Sequence, residues 1–242
     1  MSEPIPPTET AKPYEPANQF IARNLGIAIA TGHRAPGEVL PTEVELATEL
    51  GLSRSVIREA LRTLAAKGMI ESRPKAGTRV RPRSAWQLLD PELLGWMFEG
   101  APPLAFVRSL FELRLIIEPA AAEIAAARRS PEQVAAMDKA LQAMAKHGLA
   151  TAEGQAGDQE FHRLLLEATS NELLVTLAGG IMAAVRWTTI FKYRTKRHPR
   201  DPISQHRFLF EAIARGDPAS ARRETEKLIR QAQRDTEISL GS

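Results

Sequence analysis

The sequence contains no cysteine among its 242 residues. This absence excludes disulfide bonds, thiolate metal ligands and cysteine nucleophiles. Any metal site must therefore be built from imidazole and carboxylate groups. A chain without cysteine is also typical of the cytosol, and we expect a cytoplasmic location.

Long apolar runs are missing as well. The longest uncharged apolar stretch, residues 173–185, is far shorter than the roughly 20 residues that a membrane-spanning helix needs. Residues 1–17 are rich in proline, acidic and without an apolar core, which excludes a signal peptide and predicts a disordered tail. We therefore expect no association with a membrane.

Positive charge is concentrated in one segment, although the formal net charge of the whole chain is only +3. Residues 18–83 contain 11 Lys and Arg against 6 Asp and Glu, a net charge of +5. Residues 84–242 contain 20 of each sign. This distribution predicts an anion-binding domain followed by an electrically neutral one.

Residues 18–83 have the pattern of a winged helix-turn-helix domain. Thr42 and Ser53 are typical helix caps, and Gly51 stands where a helix commonly ends. Two helices across a tight turn, followed by a β-hairpin, form a winged helix-turn-helix. The predicted elements are helices over 19–32, 42–50 and 53–68, then extended runs over 69–73 and 78–81.

The second helix of such a motif places its first turn in the major groove of DNA. Arg54 and Arg58 stand four residues apart and project from the same side of that helix. Arginine matches the O6 and N7 atoms of guanine, whereas serine and free helix N–H groups suit phosphate. The alternative interpretation is that Arg54 and Arg58 are solvated arginines on an ordinary surface helix. The basic residues of the hairpin favour DNA binding over this alternative. The predicted DNA-binding residues are Thr42, Ser53, Arg54, Ser55, Arg58, Arg73, Lys75, Gly77 and Arg79.

The rest of the chain is predicted to be helical. Strong helix formers and apolar residues at a 3.6-residue spacing indicate a linker helix over 84–101 and a helical bundle over 102–242. The expected fold is therefore mostly α, with a winged helix-turn-helix domain followed by an all-α helical bundle domain.

Two arginines fall within predicted apolar stripes of this bundle. At about 100° per residue, Arg114 lies on the same side of its helix as Leu110, and Arg186 falls among apolar positions of a later helix. An arginine in such a position must be paired, because a buried lone charge is very costly. The partner is either a protein carboxylate, such as Glu118 for Arg114, or the carboxylate of a ligand. Arg114 and Arg186 are our candidate effector-binding residues.

A carboxylate and two histidines form a second polar set. Asp158 and His162 stand four apart on one predicted helix, and His206 is central to the apolar stripe of another. A single histidine on an apolar face is more often an ordinary core residue. One carboxylate and two imidazoles together suit zinc, nickel, manganese or iron(II). We therefore predict a divalent transition metal at Asp158, His162 and His206.

The chain resembles a known family over most of its length. Residues 18–83 resemble the GntR family of bacterial transcription regulators, and the bundle resembles the FCD effector domain of its FadR-type branch. Residues 86–98 are similar to the galactonate-operon repressors of that branch. The resemblance is carried by Pro36-Gly37-Glu38-Val39-Leu40-Pro41-Thr42-Glu43, Leu46-Ala47, Leu50-Gly51, Ser53-Arg54, Arg58-Glu59-Ala60-Leu61, Gly77-Thr78-Arg79-Val80, Glu112-x-Arg114-x-x-x-Glu118-Pro119 and Asp158-x-x-x-His162.

This resemblance implies a homodimer that binds a palindromic DNA operator and responds to a small carboxylate effector, such as a hexonate or another sugar acid. It also implies a metal site of one aspartate and three histidines. Two positions depart from the family pattern. Val44 stands where many relatives have an arginine, and the position of the last histidine corresponds to Leu228. Only three protein ligands are therefore expected.

The resulting prediction is a non-enzymatic, ligand-responsive transcriptional regulator, acting as a repressor of a catabolic operon. A metal-dependent hydrolase centre is one alternative, although no general base or nucleophile is evident beside the three ligands. A second alternative is a DNA-binding protein whose bundle serves only for dimerisation, with Arg114 and Arg186 paired internally.

Overall fold

A computed structural model describes residues 15–73, 76–195 and 200–241 of the chain. These residues divide into two compact units, with the boundary between Gln87 and Leu88. Most of the predicted tail, residues 1–14, and the predicted DNA-binding residue Lys75 lie outside the described residues.

The first unit combines three helices with a small antiparallel sheet among its described residues. The sheet has the strand order β1-β3-β2. The extended runs predicted as a hairpin form β2 and β3, whereas the two-residue β1 was not predicted because it is too short to give a pattern. The elements are α1 (Ala17–Ala30), β1 (Val39–Leu40), α2 (Glu43–Leu50), α3 (Arg54–Ala66), β2 (Ile70–Arg73) and β3 (Gly77–Val80).

Local signals in the sequence account for the start of α2 and α3. Thr42 forms a capping box with Glu45, and Ser53 accepts a hydrogen bond from the Val56 N–H. Gly51 ends α2 with a φ of 63°, a conformation that glycine adopts readily. α3 buries the predicted face of Ile57, Ala60, Leu61 and Leu64 against the unit's core. α2 buries Leu46 and Ala47, whereas Leu50 at its end is exposed.

The linker-helix prediction over 84–101 is only partly correct. The helix is α4, which covers Pro91–Glu99, with Asp90 as its N-cap and Pro91 at its first position. Its side chains Leu94 and Phe98 pack with Val107 and Phe111 in a hydrophobic cluster of the second unit. α4 is therefore part of the helical unit rather than a free connector.

The second unit is all-helical in its described residues. Its largest contacts join α5 to α11 and α6 to α7, and its main core lies between these helices and α10. In the described residues no helix is both long and apolar enough to cross a membrane. The helices after α4 are α5 (Leu104–Arg128), α6 (Pro131–His147), α7 (Ala152–Glu167), α8 (Glu172–Thr176), α9 (Ala178–Thr195), α10 (Ile203–Arg215) and α11 (Pro218–Leu240).

Candidate metal and effector site and DNA-binding surface

The structure brings Asp158, His162 and His206 together inside the helical unit. Asp158 and His162 lie on α7, and His206 lies on α10. Each side chain is almost fully buried, and one ligand atom from each lies within 4.8 Å of the others. α7 is held close to α6 at Gly157, where a Cβ atom would meet the Ala140 carbonyl at 3.0 Å. The three polar groups converge because α7 and α10, which are distant in sequence, both pack against α5 and α6 around one core.

The geometry of His206 fits a ligand for a cation. Its Nδ1 lies 3.0 Å from the Pro202 carbonyl oxygen, which can only accept a hydrogen bond, so Nδ1 carries a proton. In the neutral ring, the lone pair of Nε2 then faces Asp158 Oδ1, 3.1 Å away. This buried Nε2 has no hydrogen-bond partner of acceptable geometry. Two acceptors at this distance repel each other unless a proton on Nε2 or a metal cation lies between them.

His162 lies between two carboxylates. Its Nδ1 is 2.9 Å from Glu118 Oε2, and its Nε2 is 3.8 Å from Asp158 Oδ1. The His162 and His206 rings are almost perpendicular, with centroids 5.6 Å apart. Metal-bound histidines commonly have a carboxylate on their second ring nitrogen, and Glu118 occupies that position here. The sequence analysis did not assign this role to Glu118.

Arg114 forms a buried ion pair with Glu118, as one of the two interpretations of its position predicted. Arg114 Nε lies 2.5 Å from Glu118 Oε1, and both side chains are almost fully buried. Burial by itself would raise the pKa of Glu118, but Arg114 and His162 lower it to about 2. Glu118 is therefore ionised at neutral pH, and it engages the Arg114 guanidinium from within the protein.

The prediction that Arg186 points into the apolar core is wrong. Arg186 is exposed, and its guanidinium lies 5.4 Å from the centre of the Trp187 ring. The prediction treated this segment as one helix, but the structure divides it into the short helix α8 (Glu172–Thr176) and α9 (Ala178–Thr195). The break between α8 and α9 changes the phase, and α9 buries the face that carries Ile181 and Thr188. Arg186 instead borders an open groove between α7 and α9.

Lys192 is a buried residue that the sequence analysis did not assign to the site. It follows Thr188 by one turn on the buried face of α9, and only 7% of it is exposed. A helical count begun at the true start of α9 would have found it. Burial lowers the pKa of Lys192, while Asp158 and Asp235 act in the opposite direction. Burial likewise favours neutral Asp158, but His206, His162 and Lys192 outweigh it and lower the pKa of Asp158.

The side chains of Asp158, His162, Lys192 and His206 line one small cavity of about 30 Å³. Arg200, at the edge of the cavity, is held by Asp235 at 3.2 Å and by Gln205 at 2.6 Å. Leu228 lies in the same lining. The residue that we matched to the last histidine of the family pattern therefore faces this cavity. The lining residues are Arg114, Leu149, Asp158, His162, Val185, Thr188, Thr189, Lys192, Arg200, Pro202, His206, Leu228 and Ala232.

The first turn of α3 presents Ser53, Arg54 and Ser55 to solvent. Arg54 differs from Arg58, whose guanidinium is held by the Glu43 carboxylate of α2 at 2.9 Å. The hydroxyl of Thr42 is already used in the capping box of α2. Arg54 is therefore the more accessible of the two candidate base-reading arginines.

Arg73 and Arg79 of the hairpin also interact with groups of the first unit. Arg73 pairs with Glu71 at 2.9 Å, and Arg79 donates a hydrogen bond to the Gly37 carbonyl oxygen. Both arginines remain exposed. Gly77, next to the hairpin turn, has a φ of 74°, which few other residues adopt without strain. The hairpin thus keeps positive charge on its surface.

A winged helix-turn-helix unit followed by a helical bundle with a buried polar site defines the class of two-domain, winged-helix transcription regulators. Comparison with known families agrees with this class. The model "Bacterial regulatory proteins, gntR family" matches residues 17–80, and the model "FCD domain" matches residues 109–231. The chain belongs to the GntR family and carries an FCD domain.

Two curated relatives come from Escherichia coli strain K12. The chain is 32% identical to the Galactonate operon transcriptional repressor over 83% of this chain and 88% of that protein. It is 35% identical to the Uxu operon transcriptional regulator over 70% of this chain and 63% of that protein.

A solved structure has the same fold. Lar, described as controlling expression of the Listeria monocytogenes agr system, superposes with a TM-score of 0.67 at 18% identity, covering 94% of this chain and 99% of Lar. This likeness at low identity concerns the fold alone.

Proposed function

We propose that the protein is a ligand-responsive transcriptional repressor of an operon for catabolism of a sugar acid or another carboxylate. It binds a palindromic operator as a homodimer and is released when a small carboxylate effector, such as a hexonate, binds the helical unit. The names of the galactonate and Uxu relatives support the kind of operon. The observation that carries the ligand response is the buried cluster of Asp158, His162 and His206.

The three residues of this cluster fit a divalent transition metal. Asp158 Oδ1 and the Nε2 atoms of His162 and His206 would be the ligands, and Glu118 would orient His162. Zinc, nickel, manganese and iron(II) all accept such a donor set. The bound metal would supply a Lewis-acidic centre for carboxylate and hydroxyl oxygens of a ligand. Because Leu228 offers no donor, the protein leaves more of the coordination sphere to that ligand.

The charges around the cavity support an anionic effector. Three cationic side chains stand against three carboxylates in and beside the lining, so the protein groups balance one another. A divalent metal would add two positive charges, which an anionic ligand would compensate. The six groups are Arg114, Lys192, Arg200, Glu118, Asp158 and Asp235.

The DNA-binding role rests on the first unit. We propose that Arg54 reads a base edge, while serines of the same turn and the basic hairpin contact the DNA backbone. A dimer would place two such helices on half-sites about one DNA turn apart. Effector binding changes DNA affinity only to the extent that the effector prefers one arrangement of the dimer.

We propose a non-enzymatic, cytoplasmic protein. The relatives reported above are regulators of operons, and the hydrolase alternative leaves the winged helix unexplained. The alternative in which the bundle only dimerises differs from our proposal in one measurable respect, because it has no small-molecule response.

The metal site is tested by elemental analysis of protein purified without chelators. We expect about one divalent metal per chain in the wild type. Asp158→Asn and His206→Gln should remove it, while His147→Gln, at an exposed histidine, should retain it. Leu228→His should tighten metal binding by adding an imidazole to the cavity lining. Wild-type protein that holds no stoichiometric metal would contradict the site.

The regulatory role is tested by selecting DNA sequences that the protein binds and then measuring their release. We expect the selected DNA to be palindromic and to dissociate when galactonate, gluconate or another hexonate is added with divalent metal. Release should be lost in Asp158→Asn, while DNA binding without effector persists. Binding that no sugar acid or hydroxy acid changes would favour the bundle as a dimerisation module only.

A further inference from the structure

Lys192 is a buried cation without a direct partner among the described residues. Its side chain is 93% buried and lines the cavity with Asp158, His162 and His206. It makes no hydrogen bond and no ion pair within the described ranges, although Asp158 and Asp235 act on it electrostatically. An ammonium buried without a hydrogen-bond partner is costly, so its retention in the lining indicates a binding role.

The other cations of the cavity are already engaged. Arg114 is bound by Glu118, and Arg200 is bound by Asp235 and Gln205. Arg186, a candidate from the sequence, is exposed and borders a different groove. Lys192 therefore has the only directly unpaired cationic group among the described residues of this cavity lining.

We propose that the Lys192 ammonium binds the carboxylate of the effector, which makes Lys192 the residue that selects an acid over a neutral sugar. This inference rests on the proposed function and names the group that recognises the ligand. A lysine is a compact point charge with three donors, and it forms charge-assisted hydrogen bonds with a carboxylate. The hydroxyl oxygens of the ligand are left for the metal position and for Arg200 at the cavity's edge.

The cavity is too small to hold the proposed effector without a change in its lining. Its volume of about 30 Å³ accommodates an ion or a water molecule but no six-carbon acid. The effector must therefore displace part of the lining when it binds. Arg200 is half-buried at the edge, and a ligand that separates it from Asp235 would enlarge the cavity next to Lys192.

The test compares charged and neutral ligands on Lys192→Met. Calorimetric titration of the full-length, metal-loaded protein would use galactonate and gluconate as the acids and galactitol as the neutral probe. Lys146→Met, at an exposed lysine of α6, is the matched control. We expect Lys192→Met to weaken hexonate binding by about 10- to 100-fold and to leave galactitol binding unchanged.

Two further measurements separate a binding role from a structural one. The metal content of Lys192→Met should equal that of the wild type. Its melting temperature without ligand should be equal or higher, because an unpaired buried charge is replaced by an apolar chain of similar length. A lower melting temperature would show that Lys192 supports the fold and would contradict the proposal.

The outcomes distinguish this inference from the function on which it rests. If the wild type binds no hexonate, the proposed hexonate response is wrong, and so is the role of Lys192 in binding a hexonate. If the wild type binds hexonates and Lys192→Met binds them equally well, the repressor proposal stands and the assignment of Lys192 is wrong.

Discussion

At the scale of single residues, the buried ion pair of Arg114 and Glu118 connects the fold of the helical unit to the candidate metal site. Both side chains are almost fully buried, and Glu118 also lies 2.9 Å from His162. A buried ion pair gives little net stability compared with an apolar pair, but each partner depends on the other. Glu118 therefore links the stability of the fold to the orientation of a candidate metal ligand.

Removing one partner of this pair should destabilise the protein strongly. We expect Arg114→Ala to lower the free energy of unfolding by about 3–5 kcal/mol, because Glu118 would remain as an uncompensated buried charge. Arg222→Ala is the control, since Arg222 forms an exposed pair with Glu123 and should cost about 0–1 kcal/mol. Urea denaturation of both variants measures the difference. Equal costs would show that burial of the Arg114 pair does not matter.

At the scale of elements, helix ends follow local sequence rules. Ser130 accepts a hydrogen bond from the Gln133 N–H, and the Gln133 side chain accepts one from the Ser130 N–H. Pro131 occupies the first position of α6. Such a capping box can be predicted from the sequence, because all of its groups lie within four residues of one another.

Loss of this cap should weaken α6 measurably. Ser130→Ala removes the acceptor for an N–H group that has no partner within the helix, and we expect a loss of about 1 kcal/mol in unfolding free energy. Ser109→Ala on α5 is the control, because the Ser109 hydroxyl only donates to a carbonyl of its own helix. Thermal unfolding of the two variants compares them. A Ser130→Ala variant as stable as Ser109→Ala would show that the capping box contributes nothing.

The proposed DNA-reading role of α3 can be tested at Arg54. Arg54→Ala should cost about 1–3 kcal/mol of specific DNA affinity, while its non-specific binding falls less. Arg62→Ala is the control, because Arg62 pairs with Glu59 on its own helix far from the first turn. Titration of selected and random DNA at one salt concentration separates the two contributions. Unchanged specific affinity in Arg54→Ala would exclude Arg54 as a base-reading residue.

The ion-pair partner of Arg58 could not be predicted from the sequence. Its spacing from Arg54 places both on one side of α3, but the carboxylate that holds it comes from Glu43, fifteen residues earlier. Helical spacing describes neighbours on one helix and contains no information about the adjacent one. The same limit explains Arg186, whose predicted orientation was carried across the break between α8 and α9.

At the scale of the whole molecule, the proposed release of DNA by an effector requires that the two binding events be coupled reciprocally. If a hexonate lowers the operator affinity by some factor, operator DNA must lower the hexonate affinity by the same factor. Calorimetric titration of hexonate into free protein and into the protein–operator complex measures both. We expect matching factors of about 5- to 150-fold. Hexonate affinity that DNA leaves unchanged would contradict release by the effector.

The sequence by itself determined the order of the domains, the mostly helical fold and the helix starts at Thr42, Ser53 and Ser130. These features depend on composition, charge and groups a few residues apart. It also singled out Asp158 and His162, which are one helical turn from each other.

Tertiary structure alone decided which groups meet. It brought His206 to Asp158, buried Lys192, turned Arg186 outward and placed Leu228 in the cavity lining. These outcomes depend on how α7, α9, α10 and α11 pack, and the packing sums many weak apolar contacts between segments far apart in the chain. Periodicity assigns a residue to a face of its own helix, whereas the partners of that face are decided only when the helices pack together.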